Sequence, residues 1–221
     1  MNIVIAGGHG QIALRLARLL SARGDVVHGL VRNPDHAEDV RAAGAEPIVL
    51  DLESTPADEL AERIEGADAA VFAAGGGPSS GAARKDTVDR GASVLLAEAC
   101  EGAGVLRFVQ ISAVGVDQEP APDASEQWAA YVRAKHAAEV DLRSRDLDWV
   151  ILRPGTLTDD PGTGQVTLED SGDVPEGGYG RVTRDDVAAV IATLLPARNV
   201  RHRTLDLSNG PTAIEDAVAE L

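Results

Sequence analysis

The N-terminal segment combines a short apolar run, a glycine-rich turn and an amphipathic stretch. Residues 3–6 are apolar and favour a strand, and apolar side chains recur at helical spacing over residues 11–23. Between them, Gly8, Gly10 and Ala13 have the G-x-G-x-x-G/A spacing. Glycines permit a tight turn and close approach of a ligand, and N–H groups at a helix start attract phosphate oxygens. We therefore predict a dinucleotide site, in preference to a plain tight turn, at Gly7, Gly8, His9, Gly10, Gln11 and Ile12.

Apolar runs alternate with helical patterns along the chain. Strands are predicted at residues 3–6, 26–31, 47–50, 68–73, 105–111, 147–152 and 204–207. Helices are predicted at residues 11–23, 34–43, 57–64, 85–103, 126–145, 183–195 and 213–220. Strict alternation with nearly continuous apolar strands indicates a parallel sheet covered on both faces. We predict an α/β, doubly wound Rossmann fold in three α/β/α layers. It forms one domain over residues 1–221, in which residues 155–182 are substrate-pocket loops with one short strand.

The charge balance limits the partners of this chain. It has 36 acidic and 20 basic side chains, a net charge of −16 and a pI near 4.6. This acidity argues against nucleic acid and disfavours an anionic membrane surface, so an anionic ligand needs a local positive potential. The single cysteine, Cys100, lies on a predicted helix face and is expected to be buried and inert. With no leader or spanning segment evident, we expect a cytoplasmic protein, either a monomer or a homodimer.

The end of the second predicted strand indicates which dinucleotide binds. An acidic residue there is typical of NAD sites, but this strand ends at Arg32 and Asn33, and Asp25 lies at its opposite end. An arginine suits a 2′-phosphate through a charge-assisted fork, so NADP(H) is favoured over NAD(H). Asp51 and Leu52 follow the third strand. Either the Asp51 side chain reaches the adenine edge or it caps the next helix, and the sequence supports both equally.

A tyrosine and a lysine are placed for proton transfer. Tyr131 and Lys135 are four residues apart on a predicted helix, in a chain with two tyrosines and two lysines. A nearby ammonium lowers a phenol's pKa, which favours proton exchange near neutral pH. Ser112 follows the fifth strand at its carboxyl end, where its hydroxyl can orient a substrate carbonyl. The alternative is a packing tyrosine, a surface lysine and a capping serine. Lys85 and Asp89 are expected to be a solvated pair, and no metal site is predicted.

These motifs together resemble a known superfamily. The chain is similar to short-chain dehydrogenases/reductases, and within them to the atypical NmrA-like or NAD(P)H-binding branch. The resemblance rests on the glycine loop, Val31-Arg32-Asn33, Leu50-Asp51-Leu52, Ile111-Ser112-Ala113, Tyr131 with Lys135, Arg153-Pro154-Gly155 and Arg184-Asp185-Asp186. It implies a cofactor site that includes Ala73, Ala74, Gly75 and Ile111, with Pro154 and Gly155 near the nicotinamide and Lys135 bonded to its ribose. Ala13 replaces the commoner third glycine, and Ala113 removes one hydroxyl from the substrate site.

Three functions fit these features. The first is an NADP(H)-dependent reductase that transfers hydride to a small carbonyl or an activated double bond. In it, Tyr131 is the acid/base, Lys135 tunes that group and Ser112 orients the substrate. The second is a non-catalytic, cofactor-sensing regulatory protein. The third, a nucleotide-sugar epimerase or dehydratase, ranks last because only 68 residues follow Arg153. Since residues 155–180 carry several acids and few aromatics, no bulky anionic substrate is expected there.

Overall fold

The computed structural model describes residues 1–77, 81–172 and 178–221. Its strands are β1 Asn2–Ala6, β2 Val26–Val31, β3 Glu46–Val49, β4 Ala69–Phe72, β5 Arg107–Ile111, β6 Asp148–Pro154, β7 Thr156–Thr158, β8 Gln165–Asp170, β9 Arg181–Thr183, β10 Arg203–Asn209 and β11 Thr212–Ala213. Its helices are α1 Gln11–Ala22, α2 Ala37–Ala42, α3 Ala57–Ile64, α4 Ala82–Arg84, α5 Ala92–Ala103, α6 Glu126–Arg143, α7 Arg184–Leu194 and α8 Ile214–Ala219. A 3-10 turn, Pro34–His36, precedes α2, and a π-helical segment, Lys85–Gly91, joins α4 to α5.

The described strands form a large, mostly parallel sheet with a topological switch point beside β1. The sheet order is β11-β8-β10-β6-β5-β4-β1-β2-β3, and β7 pairs with β9 separately. The chain runs outward from β1 through β2 to β3, then resumes at β4 on the other side of β1. Such a switch point opens a crevice at the carboxyl ends of the two central strands. The predicted doubly wound α/β fold is confirmed, and the ligand crevice is placed between β1 and β4.

Two apolar cores flank the sheet because alternate strand residues face opposite sides. Ile3 and Ile5 of β1 pack with α1, α2, α7 and α8, whereas Val4 and Ala6 pack with α3, α5 and α6. These four strand side chains are at most 1% exposed. The helices therefore cover both faces and hold the loops at the carboxyl edge.

Two parts of the sequence-based assignment are wrong. Residues 155–172 contain β7 and β8, where one short strand was expected, and β8 is antiparallel to β10. The start of β8 is fixed because Asp186 of α7 accepts hydrogen bonds from the N–H groups of Thr163 and Gly164. The predicted helix over residues 85–103 begins as a π-helical segment, which changes the directions of its first side chains. No helix in the described ranges combines the length and apolar character needed to cross a bilayer.

Candidate active site

The glycine loop brings β1 close to its neighbours in the sheet. Gly7 has a φ of +77°, and a Cβ at that position would lie 2.6 Å from the Cα of Ala74. A Cβ on Gly8 would lie 2.7 Å from the Cα of Gly29 in β2. The N-cap of α1 is Gly10, which supplies no side-chain acceptor, and the first turn of α1 has no acidic residue. The first N–H groups of α1 therefore face the crevice without a capping side chain of their own helix.

A cleft of about 340 Å³ lies over the ends of β1 and β2. Its lining includes most of the residues predicted to hold the adenosine half of a dinucleotide: Gly7, His9, Gly10, Arg32, Asn33, Asp51, Leu52, Ala73, Ala74 and Gly75. The Oδ1 atom of Asp51 accepts the Glu53 N–H at 3.0 Å, whereas the N-cap of α3 is Pro56. The alternative in which Asp51 caps that helix is therefore wrong.

Two arginines at this cleft share one carboxylate. Arg32 NH1 lies 2.9 Å and Arg84 NH2 lies 3.0 Å from the Oε2 atom of Glu53, and Thr87 Oγ1 donates to Oε1 at 2.6 Å. All three charged residues line the cleft, and Arg32 is half exposed. The sequence analysis missed Glu53 and Arg84. Their local sequence carries no distinguishing signal, because they meet only through the sheet order and the position of α4.

Stacked imidazoles form another part of the same cleft. The rings of His9 and His36 lie 3.7 Å apart at an angle of 13°, and His9 Nε2 is 2.8 Å from Asp39 Oδ2. Both histidines line the cleft. His9 was expected to contact the cofactor. It lies in the glycine loop, lines the cleft and is paired with the Asp39 carboxylate.

A second cavity, of about 630 Å³, continues from the first along the sheet edge. The two share Ala73, Ala74 and Gly75 as a common wall, so together they form one groove. Ser112, Tyr131 and Lys135 all line this second cavity, as do Ile12 and Ile111. The three predicted catalytic side chains are thus brought together at the carboxyl edge of β4 and β5.

Four predicted cofactor residues line neither cavity: Gly8, Gln11, Pro154 and Gly155. Gly8 packs on β2 and its N–H donates to Leu30 O at 2.9 Å. The N–H of Gly155 donates to Leu207 O at 2.9 Å, so Pro154 and Gly155 are bonded toward β10. Gly8 therefore serves the packing of the loop, and the contact of Pro154 and Gly155 with the nicotinamide stays a prediction.

Lys135 is buried and held from two sides. Its Nζ donates to Ile111 O at 3.0 Å and lies 3.6 Å from Asp89 Oδ1, with Lys135 5% and Asp89 1% exposed. Burial lowers the pKa of Lys135, against the raising effect of the Asp89 carboxylate. Asp89 Oδ2 also accepts the Gly76 N–H at 2.9 Å. The lysine is therefore tied to the loop after β4 and to the end of β5.

Tyr131 behaves differently from the sequence-based expectation. Burial, and then the Asp89 carboxylate, raise the pKa of Tyr131 to about 12. The expected lowering by Lys135 is wrong because that ammonium is paired with Asp89 and lies 6.0 Å from the centre of the Tyr131 ring. The phenol therefore stays protonated at neutral pH and is a proton donor.

The buried polar atoms of the cavity fit a bound ligand. Ser112 is 4% exposed, and its Oγ has no hydrogen-bond partner among the described residues. A buried hydroxyl without a partner is costly, and a carbonyl or hydroxyl in the cavity would satisfy it. The donors that face the groove thus match the polar groups of a nicotinamide ribose and a substrate carbonyl.

Lys85 and Asp89 are not the solvated pair that was expected. They are 6% and 1% exposed, both line the second cavity, and Asp89 pairs with Lys135. The π-helical turn and the packing of α6 place them inside the groove. Within the described ranges no group of three or more His, Cys, Asp or Glu side chains could hold a metal ion, and the predicted lack of a metal stays a prediction.

Comparisons with known proteins identify the family of this chain. The model of the NAD(P)H-binding family matches residues 7–198. YhfK of Bacillus subtilis, named an uncharacterized sugar epimerase, is 34% identical over 222 residues, covering 100% of both chains. A Bacillus halodurans structure, provisionally named a NAD-dependent epimerase/dehydratase, superimposes with a TM-score of 0.90 at 30% identity, covering 100% of both chains. The oxidoreductase ylbE of Lactococcus lactis gives a TM-score of 0.84 at 27% identity, covering 100% of this chain and 96% of that one.

The family match covers most of the chain, and the groove has the glycine loop and the tyrosine–lysine pair of atypical short-chain dehydrogenases/reductases. On this evidence the chain belongs to the NAD(P)H-binding family.

Proposed function

We propose that this protein is an NADP(H)-dependent reductase that transfers hydride to a small carbonyl compound or an activated double bond. One observation carries the proposal: Ser112, Tyr131 and Lys135 converge in a cavity that continues directly from the dinucleotide cleft. The residues of the glycine loop and Lys135 would hold a dinucleotide in this groove, and the bound dinucleotide would supply the hydride.

Each of the three side chains has a distinct role. The Tyr131 phenol donates its proton to the substrate oxygen as negative charge develops there during reduction. With its pKa raised to about 12, the phenol is protonated at neutral pH and can act as the proton donor. The Ser112 hydroxyl donates to the same oxygen and orients the carbonyl. Lys135, fixed by Ile111 O and Asp89, holds the nicotinamide ribose.

The preference for NADP(H) rests on the guanidinium groups of the adenosine cleft. Arg32 and Arg84 supply two guanidinium groups, and Glu53 neutralises one of them. Asp51 also lines the cleft, and the donors of the two guanidinium groups, rather than a net charge, suit the oxygens of a 2′-phosphate. The Glu53 carboxylate could instead accept a hydrogen bond from the 2′-hydroxyl of NAD(H). Comparing the affinities for NADPH and NADH therefore tests the preference directly.

A second candidate is sugar epimerisation, because YhfK carries that name and matches the full chain. Oxidation of NADPH in the presence of candidate substrates distinguishes a reductase from an epimerase and from a sensing protein. NADPH is mixed with the full-length protein, and aldehydes, quinones and flavins are offered in turn while its absorbance is followed. A reductase oxidises NADPH in proportion to the substrate consumed. An epimerase shows no net loss of NADPH, and a sensing protein binds it without oxidising it.

The remaining assignments accompany this proposal. The chain acts as one dinucleotide-binding domain over residues 1–221, and residues 155–182 shape the substrate end of the groove. Within that segment Leu157 lines the large cavity, and residues 173–177 lie outside the described ranges. The cytoplasmic location, the choice between monomer and homodimer, and the lack of nucleic-acid and membrane partners stay predictions from the sequence.

A further inference from the structure

Both lysines of this chain lie in the same cavity. Lys85 comes from the π-helical segment before α5 and Lys135 from α6, and they are 6% and 5% exposed. The proposed reductase mechanism uses Lys135 only. A second buried ammonium in a chain of net charge −16 therefore needs its own explanation.

Within the described part of the chain, the cavity wall supplies no counter-ion to Lys85. Asp89 pairs with Lys135 at 3.6 Å, and Arg184 pairs with Asp159 at 3.1 Å. Among the described residues no carboxylate oxygen lies within 4.0 Å of the Lys85 Nζ, which donates to Gly77 O at 2.7 Å. An ammonium has three donors, and a buried cation is stabilised mainly by an anion. The described lining of the cavity thus includes one ammonium, that of Lys85, which no described carboxylate pairs.

An aromatic surface lies beside this charge. Lys85 Nζ is 5.2 Å from the centre of the Tyr131 ring, and the Trp128 ring lies 5.4 Å from the Tyr131 ring at an angle of 30°. Trp128 is 52% exposed although it lines the cavity, and Leu157 lines the same space. A large exposed indole at a cavity rim is a surface for a flat apolar group.

We propose that the substrate is a carbonyl compound with a carboxylate on a flat apolar body. The carboxylate binds Lys85, and the apolar body lies against Trp128. The inference rests on the proposed function and adds a substrate class to it. The expectation that no bulky anionic substrate binds beside residues 155–180 stays a prediction, because the proposed substrate is small. The nicotinamide and its ribose share the cavity of about 630 Å³, which limits the substrate to a small molecule.

A pair of matched ligands tests this inference. Naphthoate and naphthamide have nearly the same shape and differ in charge. Their affinities for the full-length protein are measured by calorimetry, with and without saturating NADP. We expect naphthoate to bind roughly 10-fold or more tightly than naphthamide, the effect of one charge-assisted hydrogen bond.

Variants then assign the effect to one side chain. Lys85→Met should remove the preference for naphthoate and leave naphthamide affinity within about 2-fold, while Lys85→Arg should retain the preference. Arg90→Met is the matched control, because Arg90 lies on the same π-helical segment and pairs with Asp86 outside the cavity. Equal affinities of the two ligands for the wild-type protein would overturn the inference, as would an unchanged preference in Lys85→Met.

Failure of the proposed function gives a different result. NADPH affinity is measured in parallel in every protein. If the wild-type protein binds NADPH but binds naphthoate no more tightly than naphthamide, the proposed substrate class is contradicted and the proposed function is not. A wild-type protein that binds no NADPH contradicts the proposed function, and the acid–amide comparison without dinucleotide still decides the role of Lys85.

Discussion

Replacing Arg32 with glutamine should change the affinity for NADPH but not the affinity for NADH. Arg32 lies at the end of β2 with its guanidinium 2.9 Å from Glu53, in the cleft assigned to the adenosine half of the cofactor. The variant keeps a polar side chain of similar reach and removes the charge. If the 2′-phosphate binds here, Arg32→Gln weakens NADPH binding and leaves NADH binding unchanged, since NADH has no phosphate at this position.

The magnitude follows from the exposure of the guanidinium. A hydrogen bond to a charged group contributes ~1.5–3 kcal/mol. Arg32 is 51% exposed and already shares a carboxylate with Arg84, so solvent screening places its contribution at the lower end. A loss of about 1.5 kcal/mol corresponds to roughly 10-fold weaker NADPH binding. Arg32→Gln and Arg84→Gln are coupled through Glu53, so the effect of the double variant should differ from the product of the two single effects.

Fluorescence titration of both dinucleotides measures these affinities. Arg63→Gln is the control, because Arg63 is 57% exposed on α3, pairs with Glu59 and does not line the cleft. It should leave both affinities unchanged. The reasoning is refuted if Arg32→Gln weakens NADPH and NADH equally, or weakens neither.

The remaining predictions concern Tyr131 and the buried ion pair of Glu139 with Arg153. Tyr131→Phe should lower kcat by ~10²–10⁴-fold with NADPH affinity unchanged, and turnover equal to wild type would remove Tyr131 as the proton donor. In a Tyr179→Phe background, ultraviolet difference absorbance should show Tyr131 ionising near pH 12, and a midpoint at or below its usual value would contradict the burial argument. Burial of the neutral phenol contributes to the free energy of unfolding because the raised pKa disfavours the phenolate in the folded state. This contribution is fully present below about pH 10 and is lost as the pH rises toward 12. Glu139→Gln should lower the free energy of unfolding in urea by about 2 kcal/mol, because it removes the charge paired with buried Arg153 at 2.6 Å while Asp117 still pairs with that guanidinium. A change below about 1 kcal/mol would show that the Glu139–Arg153 pair is not stabilising.

Local patterns predicted the parts of the site that depend on a single element. The glycine loop between β1 and α1 is recognisable because strand, turn and helix are adjacent in sequence. Tyr131 and Lys135 share a face of α6 because they are one helical turn apart. Ser112 reaches the groove because it follows β5 at the same sheet edge as the loop after β4. Each of these features depends on residues that are adjacent in sequence or on the carboxyl end of a single strand.

The rest of the groove depends on tertiary packing. Glu53 meets Arg32 and Arg84 because β2, β3 and the loop after β4 converge at the switch point, which no local pattern encodes. Lys85 and Asp89 looked like a solvated i,i+4 pair, but the π-helical turn and α6 bury both. The direction of the Tyr131 pKa shift was mispredicted for the same reason, since burial of the phenol and then the Asp89 carboxylate raise its pKa.

A crystal structure of the full-length protein with NADP tests the central claim most directly. The account predicts the pyrophosphate at the first turn of α1, the 2′-phosphate within hydrogen-bond distance of Arg32 and Arg84, and the nicotinamide ribose on Lys135 with Tyr131 beside the reacting carbon. A nicotinamide that lies away from Tyr131, or a dinucleotide bound outside this groove, would contradict the account.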